Sequence, residues 1–172
     1  MTGGKLSVNV GDYVVYKKRG VYRVYEIRRE KIGTEFKDYY ALRSVYDERL
    51  TVCVPADNEA LVSQMEAPLE KEQIDAIIAK SKESPAQWQD TASQRKMYSE
   101  EVVASEDLAL IVSLYMIYTA KKQEALLKKG KFFAHDERMI STSKKIICEA
   151  FAFPLSINKD EVIPYIEGKL AE

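Results

Sequence analysis

The residue types that perform acid–base or nucleophilic chemistry are scarce in this sequence and lie far apart. The chain has a single histidine, His135, and two cysteines, Cys53 and Cys148, without a C-x-x-C motif. A lone histidine can neither complete a nucleophile–base pair nor hold a metal ion, and the G-x-x-x-x-G-K, G-x-S-x-G and H-E-x-x-H motifs are missing. Adjacent carboxylates such as Glu100 and Glu101 are more typical of a solvated helix face than of a catalytic pair. We therefore expect a protein that is not an enzyme and that has no metal site and no cofactor.

Residue types that bind partners are concentrated between Tyr16 and Lys31 and around Trp88. The first segment interleaves basic residues with tyrosines: Lys17, Lys18, Arg19, Arg23, Arg28, Arg29 and Lys31 with Tyr16, Tyr22 and Tyr25. Such a segment can dock an acidic partner or a nucleic-acid backbone. It is at least as compatible with a solvated strand edge whose lysines prevent aggregation and whose tyrosines belong to a core. Trp88 is either a core residue or a contact residue. The core interpretation is the more usual one, because a lone tryptophan near a helix start is usually buried.

A second basic run lies in the helical half of the chain and consists of Lys121, Lys122, Lys128, Lys129 and Lys131. The favoured interpretation is a solvated helix end. The alternative is a track of phosphate contacts.

The overall charge argues against a protein that binds nucleic acid through electrostatics alone. The 26 basic and 27 acidic residues give a formal net charge of -1, and neither half of the chain is strongly basic. Any DNA contact must therefore be local or be made together with a larger partner. The sequence has neither an apolar run of transmembrane length nor a signal-peptide pattern, so we expect a cytoplasmic protein without a membrane partner. In a reducing cytoplasm, both cysteines are expected to be buried thiols.

The first sixty residues have the pattern of short strands separated by turns. The predicted strands are a short one near Leu6–Val10, then Tyr13–Lys17, Val21–Ile27, Tyr39–Ser44 and Leu50–Val54, after a flexible leader at Met1–Lys5. Pro55 ends this module, because proline lacks the N–H group that a central strand needs. Four or five short strands predict a small SH3-like or Tudor-like barrel.

Beyond Met65 the period of the apolar residues changes to that of helices. About five helices are predicted: one after Pro68 that fades at Lys82; one from Ser84-Pro85 that carries Trp88 and Arg95 and ends before Ser105; one with Ser105 as its N-cap that ends at Lys129-Gly130; one from Asp136 to Pro154; and a short one after Asn158, kinked or delayed by Pro164. The third has a broad apolar stripe and should pack against at least two others. Strands followed by helices indicate an α+β chain with two domains, at residues 1–60 and 61–172.

Several motifs in this order resemble those of one family. Val10, Gly11, Asp12, Val14, Val15, Tyr16, Gly20, Val21 and Val24 match the pattern V-G-D-x-V-V-Y-P-x-H-G-V-G-x-V, with Lys17, Arg19 and Tyr22 in place of its Pro, His and Gly. V-P-A-D-N at 54–58, P-A-Q-W at 85–88, Ser105-Glu106-Asp107 and Glu137–Ile140 follow at corresponding places. The chain thus resembles the CarD/CdnL family of bacterial RNA-polymerase-binding transcription regulators, whose barrel module also occurs in the transcription-repair coupling factor. Tyr39-Tyr40 and Val162–Ile166 resemble a clostridial-type branch of that family.

The resemblance implies that the barrel binds the lobe of the RNA polymerase β subunit by β-augmentation, in which an edge strand extends a sheet of the partner. The residues that it places at this contact are Arg28, Arg29, Glu30, Lys31, Ile32, Thr51, Val52 and Cys53. Glu30 and Cys53 stand where some relatives have arginines that hold the lobe, so the polar contacts around the added strand must differ. The main-chain hydrogen bonds do not depend on those side chains.

The resemblance also implies that the helical domain contacts promoter DNA at the upstream edge of the bubble, without sequence preference. Trp88 corresponds to a tryptophan that wedges into the minor groove and stabilises the open complex, and Arg95 and Lys96 are then placed near the adjacent phosphates. The interval from Trp88 to Ser105 is about one helical turn longer than in the best-known members. The alternative function is an adaptor that binds polymerase or another acidic partner without touching DNA. Neither function needs a small-molecule substrate.

Overall fold

The computed structural model describes residues 7–18 and 20–172. The predicted leader at Met1–Lys5, together with Leu6 and Arg19, lies outside the described residues. The chain divides into two units between Pro68 and Leu69. The first unit is a barrel-like β module and the second is helical, which confirms the α+β class.

The first unit is built around a five-stranded antiparallel sheet. Its elements are β1 (Tyr13–Tyr16), β2 (Val21–Ile32), β3 (Glu35–Ser44), β4 (Thr51–Pro55), the short helix α1 (Glu59–Val62) and β5 (Met65–Glu66). The strands lie in the order β4-β3-β2-β1-β5. Residues 7–10 do not form the predicted short strand. Asn9 instead forms a turn in which its N–H donates to Oδ2 of Asp12 at 2.8 Å.

Strands β2 and β3 are longer than predicted because their pairing continues past the end of β1 and then, beyond Arg28 and Tyr39, past the end of β4. Ile32 pairs with Glu35 across a two-residue turn. Gly33 opens this turn with a φ of 64°, which a type II′ turn requires at that position and which glycine adopts without strain. We call residues 25–38 the hairpin arm.

A β-bulge at Tyr25 marks the start of the hairpin arm. The pairing register shifts between Val24 and Glu26, which leaves Tyr25 as an extra residue without a partner in β3. Successive side chains of a strand point to opposite faces. The extra residue therefore changes which residues, odd-numbered or even-numbered, lie on each face of β2 beyond the bulge. Before the bulge, Val24 points into the core. After the bulge, the odd-numbered residues of β2 lie on this face, because Ile27 pairs with Tyr40 and Tyr40 packs against the core.

Strand β5 extends the first unit past the boundary that was predicted at residue 60. Tyr16 of β1 pairs with Met65, and Met65 is buried in the core of this unit. The chain returns to the sheet through α1, whose N-cap is Asn58. A two-residue strand gives almost no signal in a sequence, so β5 was not predicted. Because β5 pairs with β1, the boundary between the two units lies at Pro68.

One face of the sheet forms the core of the first unit. The buried members are Val8, Val14, Tyr16, Val24, Leu42, Val54 and Met65, and Tyr22, Tyr40, Val52, Leu61 and Val62 pack against them. Alternate residues of the strands supply this face, as their period of two requires. Tyr16 and Tyr22 therefore belong to the core rather than to a docking surface.

The second unit, described over its whole length, forms five α-helices as predicted. They are α2 (Lys71–Glu83), α3 (Ala92–Ser105), α4 (Leu108–Leu127), α5 (Ala134–Leu155) and α6 (Val162–Ala171), with a 3-10 turn at Lys159–Glu161. The predicted broad stripe of α4 is confirmed, because Ile111, Val112, Leu114, Tyr115 and Tyr118 are all buried and α4 packs against α2, α3 and α5. Over the described part of the chain, the helices lack the combination of length and hydropathy needed to cross a membrane.

Helix α3 begins later than predicted and leaves Trp88 outside it. The side chain of Thr91 caps α3 by accepting a hydrogen bond from the N–H of Gln94 at 3.2 Å. Residues 84–91 form an irregular connection between α2 and α3. We call these residues the tryptophan segment.

Helix α4 is capped by Asp107 rather than by the predicted Ser105. Oδ1 of Asp107 accepts hydrogen bonds from the N–H groups of Ala109 at 2.9 Å and Leu110 at 3.2 Å. Ser105 is instead the last residue of α3. Glu106 lies between the two helices with a φ of 58°, and a residue in this left-handed conformation commonly ends a helix.

Helix α5 is longer than predicted at both ends, since it begins before Asp136 and continues past Pro154. Pro154 lies in the last turn, where proline removes one helical hydrogen bond without interrupting a long run of them. The predicted delay of the last helix is confirmed. Asn158 and Glu161 form a capping box on the 3-10 turn, so that Pro164 falls in the first turn of α6, where proline is tolerated.

Candidate interaction sites

Strand β4 is an outer strand of the sheet, and alternate residues direct their backbone groups away from β3. The N–H of Ala56 donates to the carbonyl of Asp38 at 2.8 Å. These two residues form the next pair after Tyr39 and Pro55 in the register of β3 and β4. Bonded and non-bonded pairs alternate along an antiparallel ladder, so the even-numbered residues of β4 face β3. The N–H and C=O groups of Thr51 and Cys53 point outward and have no hydrogen-bond partner among the described residues. We call this edge the β4 margin.

The hairpin arm leaves a second edge open, on the outer side of β2. The two-residue turn makes Ile32 and Glu35 a hydrogen-bonded pair, so the even-numbered residues of β2 in the arm face β3. The backbone groups of Ile27, Arg29 and Lys31 point outward, and within residues 7–18 and 20–172 they have no backbone partner. We call this edge the β2 margin.

The two margins lie on opposite sides of a three-stranded stretch. Strand β3 separates β4 from β2, so about 10 Å of sheet lies between the margins. A single partner strand can therefore extend the sheet at one margin only. Of the predicted contact residues, the group at 28–32 and the group at 51–53 cannot both pair with the same added strand.

Trp88 is half-buried in the tryptophan segment, and its ring packs edge to face on Tyr118 of α4. The ring centroids are 5.0 Å apart and the planes are inclined by 67°, a favourable arrangement for two aromatic rings. The segment is anchored nearby, where the N–H of Ala86 donates to Oγ of Ser113 at 2.6 Å. The indole is thus held against the helices while part of its surface remains in solvent.

An open cleft of about 330 Å³ lies beside Trp88. Aromatic and basic side chains dominate its lining: Trp88, Lys121, Lys128, Lys131, Phe132 and Phe133. Nζ of Lys121 lies 5.9 Å from the centroid of the Trp88 ring, within the range of a cation–π contact. Flat apolar surface combined with cationic groups is a chemistry suited to bases and phosphates.

Three carboxylates in the lining, those of Asp90, Glu124 and Asp136, offset much of the positive charge in this cleft. Glu124 accepts hydrogen bonds from Lys121 at 3.1 Å and from Lys128 at 2.7 Å. The bond from Lys128 and then that from Lys121 lower the pKa of Glu124. The cleft is therefore less basic than its lysines alone would make it.

Arg95 is buried, which corrects the expectation that it contacts phosphates. Its side chain is 5% exposed, and its Nε donates to Oδ2 of Asp136 at 2.9 Å. Its Nη1 donates to the carbonyl oxygens of Gln89 and Asp90, both at 3.1 Å. A guanidinium committed to these three acceptors is not available to a phosphate. Lys96, the next residue, is exposed and stays a candidate.

Comparison with known proteins finds a domain family to which the first unit is similar. Residues 8–65 match the model for the CarD-like/TRCF RID domain. No curated protein matches the chain significantly. The match covers β1 to β4, α1 and the start of β5, and the matched family consists of protein-interaction domains rather than catalytic ones. We call the first unit the RID unit, and residues 69–172 the helical unit.

The two arginines on the arm of the RID unit are paired with carboxylates of the same arm. Arg28 lies 3.2 Å from Glu26 and 3.6 Å from Glu30, and its hydrogen bond to Glu26 raises the pKa of Arg28. Arg29 lies 3.6 Å from Asp38. The arm therefore presents alternating charges rather than a uniformly basic edge.

The remaining predicted polymerase contacts are distributed between surface and core. Lys31, Ile32, Thr51 and Cys53 are exposed, whereas Val52 packs against the core of the RID unit. The exposure of Cys53 corrects the expectation that both cysteines are buried, which holds for Cys148 alone.

Sequence reasoning missed two exposed apolar side chains on the arm, Ile27 and Phe36, which are 45% and 62% exposed. The guanidinium of Arg29 lies 5.5 Å from the centroid of the Phe36 ring, so this face mixes charge with aromatic surface. The glycine at position 33, followed by a strand-forming sequence, was a signal for a longer hairpin. The neighbours of Trp88, by contrast, had no local signal, because they come from distant helices.

Proposed function

We propose that the protein is a transcription regulator that binds the β subunit of RNA polymerase through its RID unit and stabilises the open promoter complex by contacting upstream DNA through its helical unit. The family match supports the first part, since domains of this family bind the polymerase β subunit. The main structural support for polymerase binding is the open β4 margin, which offers the outward backbone groups that strand addition requires. The resemblance at Trp88 and the cleft beside it support the second part.

Strand addition at the β4 margin would use the backbone groups of Thr51 and Cys53. Pro55 has no N–H and limits the margin at its far end. Because the bonds come from the main chain, a cysteine at position 53 is compatible with them. Glu30 is held beside Arg28, so the polar contacts around the added strand differ from those of relatives with arginine at that place.

Two proline variants distinguish the margins. Cys53→Pro removes an outward N–H from the β4 margin, and Arg29→Pro removes one from the β2 margin; neither N–H belongs to the hydrogen bonds of the sheet. Calorimetry with the isolated β lobe should show about tenfold weaker binding for Cys53→Pro, which loses one intermolecular hydrogen bond. Arg29→Pro should bind like the wild type.

Far-UV circular dichroism and the unfolding temperature of both variants establish that the RID unit remains folded. A loss of affinity confined to Arg29→Pro would contradict the assignment to the β4 margin. Absence of binding by the wild type would contradict the polymerase function itself.

For DNA, we assign Trp88 as the apolar wedge and Lys96 and Lys131 as phosphate contacts. Trp88 is partly exposed beside the cleft, and both lysines are exposed. An apolar wedge favours a distorted duplex, and the lysines position the DNA without reading its sequence. The near-neutral chain should bind free DNA only weakly, so the contact depends on polymerase to hold the DNA.

The lifetime of the open complex tests the wedge at matched occupancy of polymerase. Trp88→Ala should shorten the lifetime, because the melted state loses an apolar contact that the closed duplex does not make. Met97→Ala is the matched control, since Met97 is an apolar side chain of α3 that is 70% exposed and lies outside the cleft lining. Equal lifetimes for Trp88→Ala and the wild type would remove the wedge from the proposal.

An adaptor that binds polymerase or another acidic partner without touching DNA is the second candidate. The burial of Arg95 and the pairing of Lys121 and Lys128 with Glu124 favour it, because they leave fewer cations for phosphates. Footprinting of the polymerase complex distinguishes the two functions. Added protection upstream of the bubble supports the DNA contact, and an unchanged footprint supports the adaptor.

The sequence resemblance adds two finer proposals. Tyr39-Tyr40 and Val162–Ile166 support a clostridial-type branch. Binding to polymerase would associate the protein with the nucleoid in the cytoplasm. A fluorescent fusion should then lie over the nucleoid, and a smaller fraction of the Cys53→Pro fusion should do so.

A further inference from the structure

Arg95 lies at the centre of the contacts that hold the tryptophan segment on the helical unit. Its guanidinium carbon is 4.6 Å from the centroid of the Trp88 ring and 5.3 Å from that of Phe133. Its hydrogen bonds reach Asp136 on α5 and two carbonyl oxygens of the segment. One side chain of α3 therefore connects α5 with the segment that carries the tryptophan.

We infer that Arg95 and Asp136 form a latch that positions Trp88 beside its cleft. Asp136 fixes the guanidinium in the interior, and the guanidinium holds the carbonyl groups of Gln89 and Asp90, which follow Trp88 directly. With these two residues fixed, the indole is kept against Tyr118. Arg95 is thus a positioning residue: it affects binding in the cleft only by fixing the position of Trp88.

The chemistry of arginine suits this role better than that of lysine. A guanidinium is planar and carries its donors in a rigid fork, so it can bond a carboxylate and two carbonyl groups while its face lies on an aromatic ring. An ammonium is a compact point charge that cannot reproduce this arrangement. Because the side chains of Arg95 and Asp136 are only 5% and 2% exposed, each charge also needs the other to offset the cost of burial.

The other anchors of the segment act on the opposite side of the tryptophan. The N–H groups of Ala86 and Gln87 donate to side chains of α4 and α3, and both residues precede Trp88. Arg95 supplies the contacts that follow Trp88. Loss of its fork should therefore free the indole while the start of the segment stays in place.

The fluorescence of Trp88 tests the latch without a label and without polymerase, because the chain contains a single tryptophan. Arg95→Lys keeps a positive charge near Asp136 but removes the fork. Its emission maximum should move to longer wavelength, and its acrylamide quenching constant should rise roughly twofold, as local opening of the segment exposes the ring. Arg138→Lys is the matched control, since it makes the same change at an exposed position of α5, and it should leave both quantities unchanged. Unchanged quenching in a folded Arg95→Lys protein would overturn the latch.

A second variant covers the case in which Arg95→Lys fails to fold. Arg95→Met combined with Asp136→Leu replaces the buried ion pair with apolar side chains, a change that proteins often tolerate. The double variant should unfold cooperatively and still show the increased quenching. Failure of both variants to unfold cooperatively would make the pair a requirement for folding of the helical unit, and would overturn the positioning role.

The consequence for DNA rests on the proposed function, and the two proposals fail separately. We expect Arg95→Lys to increase quenching in the free protein and to shorten the open-complex lifetime. Increased quenching with an unchanged lifetime would leave the latch intact and contradict the DNA contact. Unchanged quenching, with a lifetime that Trp88→Ala still shortens, would overturn the latch alone.

Discussion

The phenol of Tyr165 on α6 donates a hydrogen bond to Oδ1 of Asp75 on α2 at 2.5 Å. Burial, and then this bond to a carboxylate, raises the pKa of Tyr165 to about 12 from its ordinary value of 10.0. The folded state therefore holds the phenolic proton more tightly than the unfolded chain. This contribution to stability is fully present below pH 10.0 and is lost as the pH rises from there towards about 12.

Tyr165→Phe should lower the free energy of unfolding of the helical unit by about 1 kcal/mol at neutral pH, because it removes one hydrogen bond. The difference from the wild type should shrink as the pH rises through the alkaline range, since the wild type then loses the same bond. Urea titrations at a series of pH values measure both effects. Asp75→Asn and the double variant complete a cycle that isolates the pair. A difference that stays constant through the alkaline range would contradict the assignment.

Replacing Lys17 with the proline of the V-G-D-x-V-V-Y-P pattern should destabilise the RID unit. Lys17 has a φ of 52°, and its N–H donates to the carbonyl of Gln64 at 3.1 Å. Proline cannot adopt a positive φ and has no N–H, so Lys17→Pro should destabilise the unit by about 2 kcal/mol or more. Lys17→Gly should instead stabilise it by up to about 1 kcal/mol, because glycine adopts the left-handed conformation without strain.

Thermal unfolding of the two Lys17 variants, followed in parallel with the wild type, measures these opposite effects. A more stable Lys17→Pro protein would show that the turn between β1 and β2 has another conformation.

Removal of the N-cap at Asp107 should destabilise the helical unit. Asp107→Ala should cost about 1 kcal/mol, and Asp107→Asn less, because an amide oxygen still accepts hydrogen bonds. Burial raises the pKa of Asp107, but the bonds from the N–H of Leu110, from Lys80 and from the N–H of Ala109 together lower it below 3.8. The stabilisation by the carboxylate is therefore present above that pH and is lost as the pH falls through the folded-state pKa.

Urea unfolding at neutral and at strongly acidic pH checks the prediction for Asp107. The advantage of the wild type over Asp107→Asn should disappear in acid. An advantage that persists there would mean that the charge of Asp107 does not stabilise the fold.

The two cysteines should differ in their reaction with thiol reagents. Cys53 is exposed and Cys148 is buried, and burial raises the pKa of the Cys148 thiol. A disulfide reagent should therefore titrate one thiol rapidly in the native protein and both in denaturant.

Because Cys53 lies on the β4 margin, a bound β lobe should slow its modification, and a bulky maleimide on it should block binding. Cys53→Ser is the control, and equal reaction rates with and without the lobe would contradict coverage of this margin.

The fold class and the order of the elements could be predicted because they follow from local periodicity. The alternating residues of β1 and β4 and the apolar stripe of α4 are signals within single elements. The hairpin arm was not predicted because the bulge at Tyr25 interrupts the alternation that would have extended β2. The cap of α4 was misplaced because Ser105 and Asp107 are both good capping residues, and the left-handed turn at Glu106 decides between them.

The candidate sites were less predictable, because their geometry depends on pairings that are distant in sequence. Nothing near Arg95 indicates that Asp136 would bury it, and an arginine close to a possible DNA contact is reasonably taken for a phosphate ligand. The resemblance directed attention to the strand that contains Thr51 and Cys53. Only the hydrogen-bonding register shows which of its backbone groups are open.

The bulge at Tyr25 allows the hairpin arm to lose one residue without a change of pairing. Deleting this residue would restore an unbroken alternation along β2. Glu26 would then follow Val24 directly and still pair with Ala41, so Ile27, Arg29 and Lys31 would keep the face on which they now lie. The loss of one codon would thus straighten the strand and leave both faces of the arm as they are, so a change of length at this point can redirect the arm without altering its surface.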